Sequence, residues 1–428
     1  VLVSAEAVSV DASGRRQPLP EGALVVALGL IIGGIATYAF FRVGTLTLGG
    51  DEEFAPIAAL WFAMFALAPG FFLPLEQELS RALAHRTAVG EGGKPVVAKV
   101  LVLMSVIVAV VVAVLLITSP VVTSGYFDGS WVMFAALVAA FAVYAPVFLA
   151  RGICSGTGRF GSFAFVVGSE GILRILGCLA LGWIGITAVG PFAFVVALSP
   201  LVAVGVIGVR GSLATEDGPP ATWREVTQNF GWLLIGTVCA AALVNAGPVA
   251  ANLLADADEA ALVSRFGYGV LLARVPLFMF QAIQATLLPR LARLAARREY
   301  DEFRSGFRLL AIVVGSIGAV GTIGAFWVGP WILELVYEAE LSGRTLAMLA
   351  LSSAIYMLAL ATSQAVIALE AHAQVAIGWV LGVVGFVVGT WVSSDEIFRR
   401  IEIGLVASSA VSLAWFLGAL RHRLLSVR

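Results

Sequence analysis

Twelve stretches of this chain run for about twenty residues with hardly a charge: roughly 22–42, 55–75, 96–118, 131–150, 162–184, 187–209, 229–253, 262–287, 309–329, 345–368, 374–393 and 402–420. About twenty apolar residues is the length of an α-helix that crosses the hydrocarbon core of a bilayer. The runs are apolar throughout. Barrel strands would alternate with a period of two, so the runs read as helices rather than membrane strands. Composition points the same way: 60% of the 428 residues are hydrophobic and 12% are charged, against roughly 25% charged in a soluble domain. The sequence predicts an all-α polytopic membrane protein of about twelve transmembrane helices.

Basic residues orient it. With both termini in the cytoplasm, 19 of the 26 Lys and Arg fall at cytoplasmic ends, four fall outside (Arg42, Arg344, Arg399, Arg400) and three lie within spans. That is the expected bias of a multi-pass protein in a bacterial inner membrane. Arg15-Arg16 ahead of the first run superficially resembles a twin-arginine export signal. The run is longer than a signal core and lacks a small-residue cleavage site, so it reads as the first span. The expected organisation is a cytoplasmic tail at 1–21, a six-helix lobe at 22–209, a linker at 210–228, a second lobe at 229–420 and a tail at 421–428. The linker assignment rests on Gly218-Pro219-Pro220 and its mixed charge.

The two halves echo each other. LSRALAHR (Leu79 to Arg86) aligns with LARLAARR (Leu291 to Arg298) at four of eight positions. RGICSGTGRFGSFAF from Arg151 and QAVIALEAHAQVAIG from Gln364 occupy the same topological place. Both offsets are close to half the chain. A six-helix unit repeats with the same orientation, which implies a parallel repeat with a path between the lobes. Parity alone leaves other two-times-six transporter folds open.

Several chemistries have no residues to carry them. Net charge is −1, so nothing global suggests nucleic acid. Cys154, Cys178 and Cys239 make neither a metal-ligand spacing nor a disulfide framework. His85, His372 and His422 all fall at cytoplasmic ends, which leaves no histidine relay within the membrane. SGTGRFGS at Ser155 lacks the spacing and the Lys-Ser/Thr ending of a phosphate loop. No catalytic constellation, metal cluster or cofactor motif is present, and the expectation is that the chain is not an enzyme.

Phe266 to Val313 resembles spans 8–9 of the multidrug/oligosaccharidyl-lipid/polysaccharide (MOP) exporter superfamily. Leu346 to Val380 resembles its spans 10–11, and Ala150 to Phe165 its span 4–5 crossing. Within the superfamily the likeness is closest to bacterial polysaccharide or lipid-linked oligosaccharide flippases. The resemblance implies a V-shaped pair of bundles working by alternating access, with a central cavity beside spans 1, 2, 7 and 8. It implies a lipid-linked glycan or related anionic lipid as cargo, with membrane lipids and glycan-assembly enzymes as partners. Multidrug members couple to cations through acidic residues in spans such as 1, 7 or 10. This chain has none well inside those spans, which counts against a cation-coupled drug antiporter. That antiporter stays the first alternative, ahead of a membrane-embedded glycosyltransferase or polymerase, or a scaffold that no longer transports.

Charges inside a bilayer are costly and face protein or water. Glu170 and Arg174 are four apart, share a helix face and lie roughly 12 and 18 Å deep; they are expected to form an intramembrane ion pair. Arg265 and Arg274, nine apart in span 8, point to nearly opposite faces. Arg265 either snorkels or meets cargo. Arg274 sits near the bilayer middle, where a guanidinium can bind phosphate bidentately; its alternatives are a carboxylate partner or free backbone carbonyls. In span 7, Asn245 and Asn252 are candidate cargo contacts or packing residues, and Gly247-Pro248 a candidate hinge. Glu76, Glu78 and Arg81, after Pro74, either form a cytoplasmic gate with Arg290 and Arg293 or lie on a solvated helix face.

Overall fold

The computed structural model describes residues 8–10, 16–18, 22–227, 230–255, 259–277, 280, 294, 297–369 and 371–426. A short antiparallel ladder, β1 (Val8–Val10) with β2 (Arg16–Pro18), precedes the helices. The other regular elements among the described residues are helices. The N-terminal lobe has α1 (Ala23–Leu48), α2 (Asp51–Ala88), α3 (Lys94–Ile117), the short α4 (Ser119–Tyr126), α5 (Trp131–Gly156), α6 (Phe160–Trp183) and α7 (Val189–Val209). A short α8 (Arg224–Thr227) leads to the second lobe. That lobe has α9 (Phe230–Leu254), α10 (Ala260–Ala273), α11 (Tyr300–Trp327), the short α12 (Gly329–Tyr337), α13 (Gly343–Ala368), α14 (His372–Val392) and α15 (Ile397–Ser426). Among the described residues, eleven of these helices and the stretch Ala260–Leu277 that begins with α10 are long and apolar enough to cross a membrane, and the twelve coincide with the twelve apolar runs. The chain is a multi-pass membrane protein.

The tryptophans mark where the two interfaces lie. Trp131, Trp183, Trp327, Trp331 and Trp391 are exposed at helix ends on one side of the bundle, and Trp223, Trp232 and Trp415 are exposed on the side that carries the linker. Aromatic rings of this kind sit at headgroup level. We call the two sides the far end and the linker end.

The repeat is visible in the packing. In the first lobe α1 packs on α6, α2 on α5, α3 on α5, and α7 on both α5 and α6. In the second lobe α9 packs on α14, α10 on α13, α11 on α13, and α15 on both α13 and α14. The short far-end helices also correspond. Both begin with a proline at their second position and end in tyrosine. Each is followed by a residue in the left-handed region, Asp128 (φ 48°) and Glu338 (φ 52°). Serines 212 residues apart then cap the next helices: Ser130 accepts from Met133 N, and Ser342 from Thr345 N. The eight-residue echo at Leu291 falls mostly on residues outside those described.

Lipid tails offer helices no hydrophobic gain over each other, so close backbone approach takes its place. Helices α1 and α6 meet at Gly29 and Gly33, a G-x-x-x-G spacing. A Cβ on Gly29 would stand 2.8 Å from the Ala164 backbone. Gly29→Val should therefore push α6 away and lower stability by about 1–3 kcal/mol, read as a lower unfolding midpoint in detergent. Gly161→Ala, where a Cβ meets open space, should leave the midpoint unchanged.

Residues 210–223 form no regular element but are pinned to the first lobe. Arg159 donates to Ser212 O (2.7 Å) and Ala214 O (2.8 Å), and Lys94 pairs with Asp217 (2.8 Å). Arg86, almost fully buried, donates to Pro219 O (2.8 Å) and pairs with Glu225 of α8 (2.8 Å). The linker is a docked strap.

Candidate functional site

Proline supplies the site with its acceptors. A proline inside a helix has no N–H for the carbonyl four residues before it, and within a membrane that carbonyl must find another donor. Pro248 in α9 thereby frees Val244 O. Arg274 donates to it through Nη2. Nη1 of the same guanidinium donates to Asn245 Oδ1 at 3.2 Å, while Asn245 Nδ2 donates to Ala241 O at 3.1 Å. Pro74 in α2 frees Gly70 O, which accepts from Thr237 Oγ1 of α9 at 2.7 Å. Pro200 in α7 frees Val196 O, to which Arg174 Nε makes a long 3.5 Å contact.

Arg274 itself stands where α10 ends. Within the expected span 262–287, α10 ends at Ala273, Arg274 forms a one-residue turn and helix resumes over 275–277; most of the span beyond lies outside the described residues. Pro276 is the cause: it cannot donate to Leu272 O, and its ring crowds that carbonyl. At this break Leu271 O accepts from Arg274 N (3.0 Å) and from the Tyr38 hydroxyl of α1 (2.8 Å). Tyr38, which no charge or motif marks in the sequence, thus ties the first lobe to the broken helix. The guanidinium lies over the Phe62 ring of α2, 5.7 Å from its centroid, a cation–π distance. Arg274 is 7% exposed, and among the described residues no carboxylate contacts it.

Glu170 and Arg174 do pair, on α6. Both also hydrogen-bond the Tyr144 hydroxyl of α5, Arg174 Nη2 at 2.7 Å. Arg174 is 2% exposed and lies over Phe65. This triad holds α5, α6 and α7 together inside the first lobe and is separate from Arg274.

The far end is closed between lobes. Asp51, at the start of α2, accepts from Arg265 Nε (3.3 Å) and the Tyr268 hydroxyl (2.9 Å), both on α10. Ser264 Oγ donates to Asp51 O (2.9 Å), and Thr45 of α1 hydrogen-bonds Tyr268 (2.7 Å). Tyr268 stacks on Tyr337 of α12, whose hydroxyl reaches Tyr38 O, and Arg42 pairs with Glu338. Arg265 pairs with Asp51 while its side chain stays 39% exposed. Asn252 donates to Tyr126 O at 2.7 Å and borders a far-end cavity of about 350 Å³ with Glu52 and Asp128.

Of the four expected cargo contacts, Arg274 and Asn245 meet, while Arg265 and Asn252 lie apart from them towards the far end. Gly247 and Pro248 lie within continuous helix, and Gly247 packs against Leu405 of α15. At the linker end, Glu76 and Glu78 are buried, which corrects the solvated-face alternative. Helix α2 runs on through Pro74 to Ala88, and neighbouring elements cover it. Glu76 pairs with Arg151 of α5 (3.1 Å) and Glu78 with Arg81 (2.7 Å); Arg81 also donates to Glu225 O. Arg290 and Arg293 lie outside the described residues.

No model of a protein family matches the chain. An uncharacterized protein of Mycobacterium bovis is 26% identical over 395 residues, spanning 82% of this chain and 85% of its own length. A second uncharacterized protein, from Mycobacterium tuberculosis, is 26% identical over 388 residues, spanning 86% and 85%. Among solved structures, the inward-facing conformation of a multidrug resistance MATE family transporter of the MOP superfamily superposes with a TM-score of 0.70. It has 15% identity and covers 95% of this chain and 98% of that one. The outward-facing conformation of such a transporter gives 0.65 at 14% identity, covering 95% and 96%. The twelve helices of this chain therefore adopt the fold of the MATE transporters of the MOP superfamily.

Proposed function

We propose that the chain is an alternating-access transporter of a bacterial inner membrane, with both termini cytoplasmic. Its cargo is a lipid-linked oligosaccharide or related polysaccharide precursor, flipped head-first while its tail stays in lipid. The observation that carries this is the charge at the lobe interface. Arg274 is a buried cation on a broken helix, its protein acceptors are neutral, and it lies over a ring of the opposite lobe. Glu170, a carboxylate within the membrane, is engaged by Arg174 and Tyr144. Such an interior suits a phosphate, which a guanidinium binds through two parallel hydrogen bonds. Asn245 orients Arg274. Glu76, Glu78 and Arg81 exchange partners with the arginines after α10 as the linker end closes.

A second reading, a cation-coupled multidrug antiporter, is favoured by the description of the solved neighbours as multidrug transporters. Reconstitution separates the two. Proteoliposomes should flip a fluorescent polyprenyl-diphosphate sugar, and Arg274→Ala should slow flipping roughly ten-fold or more through loss of a charged hydrogen-bond donor. If the wild type moves no such lipid under any ion gradient, the flippase reading is overturned. Proton- or sodium-driven efflux of an organic cation would establish the second reading instead.

A further inference from the structure

A second feature of Arg274 concerns its own lobe. A cavity of about 40 Å³ lies against it, walled by α9, α10, α13 and α15. A water requires about 10–15 Å³ of such space, so the cavity admits a few small species and no sugar. Arg274 uses N–H groups on Asn245 Oδ1 and Val244 O. A guanidinium carries five, and the others have no acceptor among the described residues.

Two serines line the same cavity, Ser409 of α15 and Ser353 of α13. Ser409 is 4% exposed, and neither hydroxyl is hydrogen-bonded to a described residue. Their neighbours are already engaged: Ser352 donates to Leu349 O and Tyr356 to Ala240 O. Three helices thus bring one buried positive charge and two spare hydroxyl donors to a small space with no counter-charge. A buried charge with no counter-charge is costly, and the buried Ser409 and half-buried Ser353 line the same space with hydroxyls that bond no described residue. One small anion would satisfy all of them.

We propose that this cavity binds a small monovalent inorganic anion of about chloride size, held by Arg274, Ser409 and Ser353. The anion neutralises Arg274 when no cargo is bound. The inference rests on the donors around the cavity and not on the transport reading. The two share Arg274 but are tested by different measurements.

The test uses the purified full chain in detergent, without cargo or gradient. The unfolding midpoint is followed while bromide or chloride replaces gluconate at constant ionic strength. The wild type should show a saturable rise with halide, half-complete at a lower concentration than any rise with inorganic phosphate. Ser409→Ala should shift the half-saturating halide concentration up about ten-fold, the worth of one hydrogen bond to a charged group. Arg274→Met should abolish the response. If that variant does not fold, the Ser409→Ala titration decides. Crystals grown in bromide should show an anomalous peak between Arg274 and Ser409. A wild-type midpoint indifferent to halide, a response unchanged in Ser409→Ala, or a preference for phosphate would each overturn the proposal. Flipping plays no part in these readouts, so failure here and failure of the flippase assay are distinguishable.

Discussion

Arg174→Ala should destabilise the first lobe more than the loss of any exposed ion pair in the chain. The guanidinium is buried and is the partner of both Glu170 and the Tyr144 hydroxyl. Its removal leaves the Glu170 carboxylate within the membrane with a single neutral donor. Breaking a buried pair by deleting one member costs about 3–5 kcal/mol, because the remaining charge is uncompensated. By the usual scaling this is a fall of roughly 5–10 °C in the unfolding midpoint. Cys154 and Cys178 are buried and free, so their reaction with a thiol dye on heating reports the transition. The double variant Arg174→Met, Glu170→Leu should recover most of the loss, since an ion pair replaced by apolar groups of similar size is often neutral. A midpoint for Arg174→Ala within a degree or two of wild type would show that the triad does not hold the lobe. A double variant as unstable as the single one would show that packing volume, not charge, matters at this site.

That pair was legible in the sequence because helix geometry alone brings residues four apart to one face. The twelve spans were legible for a comparable reason: the length of an apolar run is set by bilayer thickness, whatever the tertiary structure. The partners of Arg274 were not. Asn245 and Val244 lie on a different helix, and no local rule says which face of α9 meets α10. The cue was in the chain all the same. Pro248 marks Val244 O as a carbonyl in need of a donor, and Pro276 marks a break just past Arg274. Pro248 taken only as a hinge conceals the acceptor it creates. Pro74 misleads in another way. It suggests that the helix leaves the membrane there, whereas α2 continues to Ala88, with Gly70 O satisfied by Thr237 from the other lobe. Glu76 and Glu78 are buried because neighbouring elements, α5 among them, cover them, a tertiary fact with no local signal. The repeat, too, is weak in the eight-residue echo. Its clearer trace is the pair of capping serines, Ser130 and Ser342, whose role needs the short far-end helices to be recognised first.

Asp51→Ala should open the far end. One carboxylate there accepts from Arg265 and from Tyr268, so two of the ties between α2 and α10 end on the same group. Arg265 is partly exposed and rehydrates at little cost, so its bond to Asp51 is worth little by itself. Tyr268 is fully buried; once the acceptor is gone, it keeps Thr45 and its stacking on Tyr337. A hydrogen bond to a charged group contributes about 1.5–3 kcal/mol, which is a ten- to hundred-fold change in the ratio of closed to open states. Spin labels at Glu52→Cys on α2 and Glu340→Cys beyond α12, with the native cysteines replaced, span the closure at two exposed positions. The wild type should give one short distance. Asp51→Ala should add a longer population, and Asp51→Asn, which still accepts one hydrogen bond, should fall between. An unchanged distance distribution in Asp51→Ala would mean that the aromatic stack and the Arg42–Glu338 pair hold the far end without it. In that case the triple variant with Arg42→Ala and Tyr337→Ala is where the opening should appear.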